Sequence, residues 1–335
     1  MQAASILAPT PTATPLRSVS GATSHSLSAA VTLPILLGLL LLPIAAHFYG
    51  QEYFLSPVTR VLIYAVAASS LNLILGFGGM VSFGHAAFMG VGAYAAAALM
   101  MNQVTSLWIA LPVAMGLGAV VSAVIGLISL RAHGVYFIMI TLAFAQMLYY
   151  VAISLKFLGG EDGLSLSARG SMWPVLEPLD DTALYYVAVL ILAAVVVFIQ
   201  RLVNANFGHV LEAIRINETR VASLGVNTFR HKLVAFMVAG ALAGVSGALL
   251  AHQSGFVSPS LMHWTQSGVL MVMVILGGAG HLYGGIIGAI IYGVLEESLS
   301  GYTEHWQLAL GVVLLVAVLI APQGISRLIL KRTPK

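Results

Sequence analysis

Cysteine is absent from the 335 residues, and charge nearly so: 14 Lys and Arg with 11 Asp and Glu leave 7% of side chains charged. The first absence excludes a disulfide framework, a thiolate metal site and a dithiol redox motif. The second excludes a soluble globular domain, which carries about a quarter charged residues. A formal charge of +3, scattered along the chain, provides no basic face for nucleic acid. No Gly-Lys-Ser or Gly-Lys-Thr occurs, so the phosphate-cradling P-loop is missing, and ATP-driven work would need an ATPase on another polypeptide. His-x-x-x-His and Gly-x-Ser-x-Gly are missing as well. The chain therefore reads as a non-enzyme with no metal site and no cofactor of its own.

What the sequence has instead is apolar length. Hydrophobic residues make up 59%, and no charge falls between Arg60 and Arg131 or between Lys232 and Glu296. Each of these blocks holds about three membrane spans at about twenty residues apiece. The expected fold is an all-α, polytopic helical membrane protein. Ten apolar segments fall at 31–49, 58–75, 86–101, 107–129, 135–156, 183–201, 232–252, 266–279, 283–299 and 306–322, the third, eighth and ninth being short or broken by glycine. Residues 1–29, rich in Ser, Thr, Ala and Pro, read as a disordered cytoplasmic tail, or as the result of a start codon assigned too far upstream. Residues 30–325 form the transmembrane domain and 326–335 a basic tail.

Lys and Arg in short connections mark the cytoplasmic side. The connection at about 203–231, with Arg215, Arg220, Arg230 and the adjoining Lys232, is expected inside, together with Arg327, Lys331, Arg332 and Lys335. The loop at 157–182 sets Glu161, Asp162, Glu177, Asp180 and Asp181 against Arg169 and is expected outside, as are Glu296, Glu297 and Glu304. Ten spans with both termini cytoplasmic satisfy these assignments. Arg60 runs against them, since the count leaves it near the outer surface, where Trp108, Trp173, Trp264 and Trp306 also fall.

Two kinds of glycine pattern occur. Gly240/Gly244, Gly284/Gly288 and the ladder Gly116, Gly118, Ser122, Gly126 suit close helix packing in lipid. Residues 76–85, GFGGMVSFGH, differ. Their glycines would each cost a helix about 1 kcal/mol, so a regular helix is not expected there. Two readings remain: an unwound segment at a protein-lined cavity, or a plain cytoplasmic turn. Residues 277–281, GGAGH, pose the same question, and the two Gly-His stretches hint at an internal repeat.

On the cytoplasmic side, residues 208–225 read GHVLEAIRINETRVASLG. Leu211, Ile214, Val221 and Leu224 recur at helical spacing, which predicts one amphipathic helix, capped at its start by Asn204 or Asn206 and at its end by Gly225. Glu212, Arg215 and Glu218 are spaced for exposed pairs. Such a helix can lie on the membrane, pack on its own bundle or enter a partner's groove.

These residues carry a resemblance. Glu212-Ala213-Ile214-Arg215, Asn217-Glu218, Arg220 and Leu224-Gly225 resemble the coupling loop of bacterial ABC importer permeases, most of all the branched-chain amino-acid permeases of the LivM/LivH family. LGFGGMVSFGHAAFMGVGAYAAA from Leu75 is similar to that family's glycine signature. RAHGVYFIMITLAFAQML from Arg131, GGEDGL from Gly159, KLVAFMVAGALAGVSGALLA from Lys232 and residues 264–288 continue the match in order over about 55–325. His281, Gly285 and Gln146 depart from the family's usual residues.

The resemblance implies a permease subunit of the inner (cytoplasmic) membrane that works with a second, LivH-like permease, two cytoplasmic ATPase subunits that bind the ATP, and a periplasmic or lipid-anchored solute-binding protein. Branched-chain or related amino acids are the implied solutes, with urea or short amides as the alternative. It also implies that Leu211, Ile214 and Leu224 enter an ATPase groove with Glu212 and Arg215 at its rim. Gly78, Gly79, Ser82, Phe83, Gly84, His85, Tyr94, Tyr136, Thr141 and Gln146 are expected along a path of neutral groups. An ion-coupled secondary transporter is the rival class. It would place titratable groups inside its spans, where this chain has no carboxylate, and His85, His252 and His281 lie near span ends, as structural histidines do.

Overall fold

The computed structural model describes residue 43 and residues 55–166, 180–302, 305–320 and 324–325. The expected tail 1–29, nearly all of the first apolar segment, the middle of the 157–182 loop and the basic tail 326–335 lie outside the described residues. The other nine apolar segments are all helical. In chain order the helices are α1 (Leu55–Asn72), α2 (His85–Met101), α3 (Leu107–Ser129), α4 (Val135–Ser154), α5 (Asp181–Asn204), α6 (Asn206–Ile216), α7 (Glu218–Ser223), α8 (Thr228–Ser254), α9 (Trp264–Gly277), α10 (Gly284–Ser300) and α11 (Trp306–Ile320). The chain is an all-α, multi-pass membrane protein.

Burial sorts the long helices into two groups. α8, and α1 with its C-terminal extension, are 72% buried over their most apolar stretch, whereas α4 is 22% buried. α1 and α8 are therefore central posts, and α3, α4 and α5 form an outer rank whose exposed Val, Leu and Ile suit lipid or a neighbouring subunit. The centre is built on small residues. A Cβ on Gly118 would lie 2.5 Å from the carbonyl oxygen of Gly240, and Gly244 is pressed on the backbone of α3 at Ala114. Gly92 of α2 abuts Gly244 as well, so one glycine of α8 receives two neighbouring helices. Close approach of backbones, rather than burial of bulk, is what joins helices in lipid. Gly116 departs from the expected ladder: it has open space around its Cα.

The two ends of the bundle differ in character. At one, Glu218 of α7 pairs with Lys232 at the start of α8 at 2.5 Å and with His133 of the α3–α4 turn at 3.5 Å. At the other, a two-residue antiparallel ribbon joins β1 (Leu164–Ser165) to β2 (Phe256–Val257). There also Gln253 Nε2 donates to the carbonyl oxygen of Ser56 at 3.1 Å and Arg60 meets Glu296 at 3.7 Å. Arg60, anomalous by charge counting, thus sits with the carboxylates expected outside and is paired by one of them. In the GGEDGL turn before the ribbon, Gly159, Gly160 and Gly163 all take positive φ, leaving Glu161 and Asp162 exposed.

Candidate coupling and path site

The first glycine stretch is unwound. α1 runs on into a wider turn over Leu73–Phe77, whose end is marked by Gly78 N donating to the carbonyl oxygen of Leu73 at 3.2 Å. Residues 78–84 then carry no helix before α2 starts at His85. Three helices fix where α2 begins. His85 Nε2 lies 2.8 Å from Ser70 Oγ of α1, Phe83 N donates to Thr141 Oγ1 of α4 at 3.3 Å, and Ala86 N donates to Ser267 Oγ of α9 at 3.0 Å. Ser267 lies ten residues before the end of α9, about 15 Å at 1.5 Å per residue. The N-terminus of α2 is therefore held inside the bundle, and the loop climbs to reach it. This rules out the plain-turn reading. It also explains why α2 is short: 17 residues span about 25 Å, less than a bilayer core of about 30 Å, and the loop covers the rest.

His85 is held by a short polar chain. Ser70 Oγ lies 2.7 Å from the carbonyl oxygen of Ala67 and 2.8 Å from Nε2, so one hydroxyl bridges the backbone of α1 and the ring. The ring is enclosed and packs edge-on against Phe88.

The second glycine stretch docks against the first. Asn72, at the end of α1, donates from Nδ2 to the carbonyl oxygen of His281 at 2.7 Å and accepts at Oδ1 from Gly280 N at 3.0 Å. Arg215 of α6 arrives from the other side and donates from Nη1 to the carbonyl oxygen of Gly76. Its stem covers Gly79: a Cβ there would stand 2.9 Å from Arg215 Cγ, and φ is +68°, so both space and backbone demand glycine. A 430 Å³ cavity lies beside this junction, between Gly78 and Gly79, the 132–135 turn, Arg215 and Glu218. Burial raises the Glu218 pKa, but the hydrogen bond and charge of Lys232, with Thr228 and His133, outweigh it and hold this carboxyl below its usual value.

The expected single helix of 208–225 is two helices broken at Asn217. Neither Asn204 nor Asn206 caps α6; Ala205 stands at its cap position without a side-chain bond. Asn217 caps α7 instead, accepting from Arg220 N at 2.9 Å, and Gly225 turns the chain at φ +83°. The apolar stripe packs on the chain's own bundle: Leu211, Ile214 and Val221 are buried. This corrects the expectation that Leu211 and Ile214 enter a partner's groove. The apolar groups left outside are Ile216 and Leu224, each 78% exposed, with Glu212 and Arg220 also exposed and Ala213 half-buried. Arg215 is exposed too, but its guanidinium bonds the carbonyl oxygen of Gly76.

The expected path residues separate. Ser82, Gly84, His85 and Thr141 are buried and hold the unwound loop; Ser82 Oγ, for instance, accepts from Gly84 N at 3.2 Å. In this conformation their side chains brace the loop and do not line an opening. Gly78 and Gly79 face the cavity, and Phe83 is half-buried beside Trp264. Tyr136 is 77% exposed on the outer rank. Tyr94 Oη and Gln146 Nε2 are enclosed without a partner among the described residues. Sequence reading missed Asn72, Ser70 and Ser267, single polar residues in apolar runs. Among the described residues no group of His, Asp or Glu is placed to hold a metal ion.

The site is thus a central pair of posts, two glycine loops docked on one another and an α6–α7 connection pinned to them by Arg215. Residues 53–321 match the family described as the permease component of the branched-chain amino acid transport system, and the chain belongs to that family. It is 29% identical to the high-affinity branched-chain amino acid transport system permease protein LivM of Escherichia coli, over 87% of this chain and 74% of that protein. Against the corresponding LivH protein of Salmonella typhimurium the identity is 27%, over 83% of this chain and 95% of the relative. A probable LivM permease protein of Methanocaldococcus jannaschii is 24% identical, over 75% of this chain. No solved structure matches.

Proposed function

We propose that this chain is one of two permease subunits of an ATP-driven importer for branched-chain or related amino acids in the bacterial inner membrane. Its partners are a LivH-like permease, two cytoplasmic ATPase subunits and a periplasmic or lipid-anchored binding protein. The observation that carries the reading is Arg215. It ties the α6–α7 connection to the carbonyl of Gly76, where the two glycine loops meet. A push on α6 and α7 from below is thereby delivered to the ends of α1 and α9 and the starts of α2 and α10. The chain itself hydrolyses nothing; ATP is bound by the partners, which touch it through Ile216 and Leu224. Gly78, Gly79, Phe83, Tyr94, Tyr136 and Gln146 remain the residues assigned to the path, opened when the loop held by Ser82, His85 and Thr141 shifts. Both termini are assigned to the cytoplasm.

The test is uptake by the reconstituted complex. Proteoliposomes holding both permeases and ATP-loaded ATPase subunits, supplied with the binding protein, should accumulate labelled leucine. Accumulation of urea or acetamide with no leucine uptake would transfer the chain to the amide-importing branch of the family.

A further inference from the structure

A second cavity, of 380 Å³, opens at the other end of the bundle among α1, α9, α10 and α11. Its shape follows from glycine. Gly285 of α10 lies on the backbone of α1 at Ala68 and Ser69, where a Cβ would stand 2.7 Å from Ser69 N, and Gly293 lies against the Val61 side chain. The two antiparallel helices are thus held close over two turns, and the next residues outward are Arg60 and Glu296. Arg60 Nη2 stands 3.7 Å from Glu296 Oε1, with side chains 52% and 30% exposed. The guanidinium also lies 5.7 Å from the centre of the Tyr64 ring, within cation–π range. The pair is long for an ion pair, and both partners line the cavity. The rest of the lining pairs an apolar patch of Val269, Met273 and Leu310 with the polar side chains of Thr265, Gln266 and Gln307.

We propose that this cavity is an outer receiving site for the zwitterionic head of an α-amino acid. Arg60 takes the carboxylate, and Glu296, beside the Tyr292 ring, takes the ammonium. An aliphatic side chain rests on Val269, Met273 and Leu310. An opposed cation and anion over an apolar patch is complementary to a branched-chain amino acid and to neither a urea nor a simple amide. The volume lies within the range of about 300–1,000 Å³ usual for small-molecule sites. The inference rests on the amino-acid reading above and adds a charge-reading step at the permease. The neutral path expected from the spans begins below this rim.

The test compares three probes on the purified complex in nanodiscs without binding protein: leucine, leucinamide (no carboxylate) and 4-methylpentanoate (no ammonium). Leucine should bind at least about tenfold tighter than either, a difference of about 1.4 kcal/mol. Arg60→Gln should abolish the preference over leucinamide, and Glu296→Gln the preference over 4-methylpentanoate. The charge swap Arg60→Glu with Glu296→Arg controls for folding. It should restore thermal stability lost in the single variants. Equal affinity of the wild type for all three probes, or single variants that lose stability and keep both preferences, makes the pair a structural link and overturns the proposal. So does a zwitterionic phospholipid seen by native mass spectrometry that leucine does not displace. If leucine uptake by the full system persists under any of these results, the importer reading stands and only this site falls; loss of all amino-acid uptake in the wild type fells both.

Discussion

Arg215 illustrates why a charge pattern is a poor guide to partners. Its spacing from Glu212 and Glu218 suits exposed pairs on one helix, yet Glu218 turns to Lys232 and Arg215 to the carbonyl of Gly76. Which face of a helix docks is decided by the bundle, and spacing carries no record of it. A hydrogen bond from a charged donor is worth about 1.5–3 kcal/mol. Arg215→Ala should therefore lower leucine uptake by about tenfold or more while the ATPase subunits stay bound, measured as transport per ATP hydrolysed. Arg215→Lys keeps the charge but not the planar fork and should fall between. Leu211 and Leu224, equal in the periodic pattern, should part company. Leu211→Ala empties a buried site and should lose about 2–5 kcal/mol of stability, read as a lower melting temperature. Leu224→Asp, in an exposed position, should leave melting unchanged and release the ATPase subunits on a sizing column. Retention of those subunits by Leu224→Asp would place the contact elsewhere. Glu218 adds a pH dependence. Its carboxyl is held below its usual value in the folded protein, so the stability it contributes is complete above the ordinary carboxylate range. That contribution should fade only as the pH drops through the lowered value, and Glu218→Gln should flatten this acid limb of the melting curve.

The helices were largely legible and their breaks only partly so. Apolar length found nine helical segments, five of them long and apolar enough to cross a membrane, and four glycines between 76 and 84 marked the unwound stretch. The wide turn at Leu73–Phe77 carries only the first of those glycines, Gly76, which stands against Asn72 and the second loop at Gly280. The break at Asn217 was hidden by apolar periodicity that continues across it. Only the cap bond to Arg220 N shows that the residue starts a new helix. Small residues are more telling in pairs than in ladders. Gly244 receives both Gly92 and Ala114, whereas Gly116, from the same kind of spacing, touches nothing. Gly244→Val should hence separate α8 from α2 and α3 and prevent a stable complex. Gly116→Ala should be neutral or add up to about 1 kcal/mol, since it only removes a flexible residue from a helix. Solubilised yield and melting temperature of the two variants decide the matter.

Over the whole molecule, the opposite charge excesses of single loops add up to two ends of opposite sign. Arg131, Arg201, Arg215, Arg220, Arg230 and Lys232 gather where the glycine loops meet, against Glu212 and Glu218. Glu161, Asp162, Asp180, Asp181, Glu296 and Glu297 gather at the other end, against Arg60 and Lys156. Counting along the chain made Arg60 a misfit because it treats each connection alone; folding brings Glu296 to it and removes the conflict. Basic connections stay on the cytoplasmic side during insertion, so the Arg215 end should face the ATPase subunits and the ribbon end the binding protein. The absence of cysteine makes this directly testable, since any introduced thiol is the sole one. Ser165→Cys lies exposed on the ribbon and Leu224→Cys exposed beyond α7. A membrane-impermeant maleimide on intact spheroplasts should label Cys at 165 and leave 224 untouched, with 224 reacting only after lysis. The reverse pattern would invert the protein in the membrane, putting the α6–α7 connection out of reach of any ATPase and leaving Arg215 with no force to transmit.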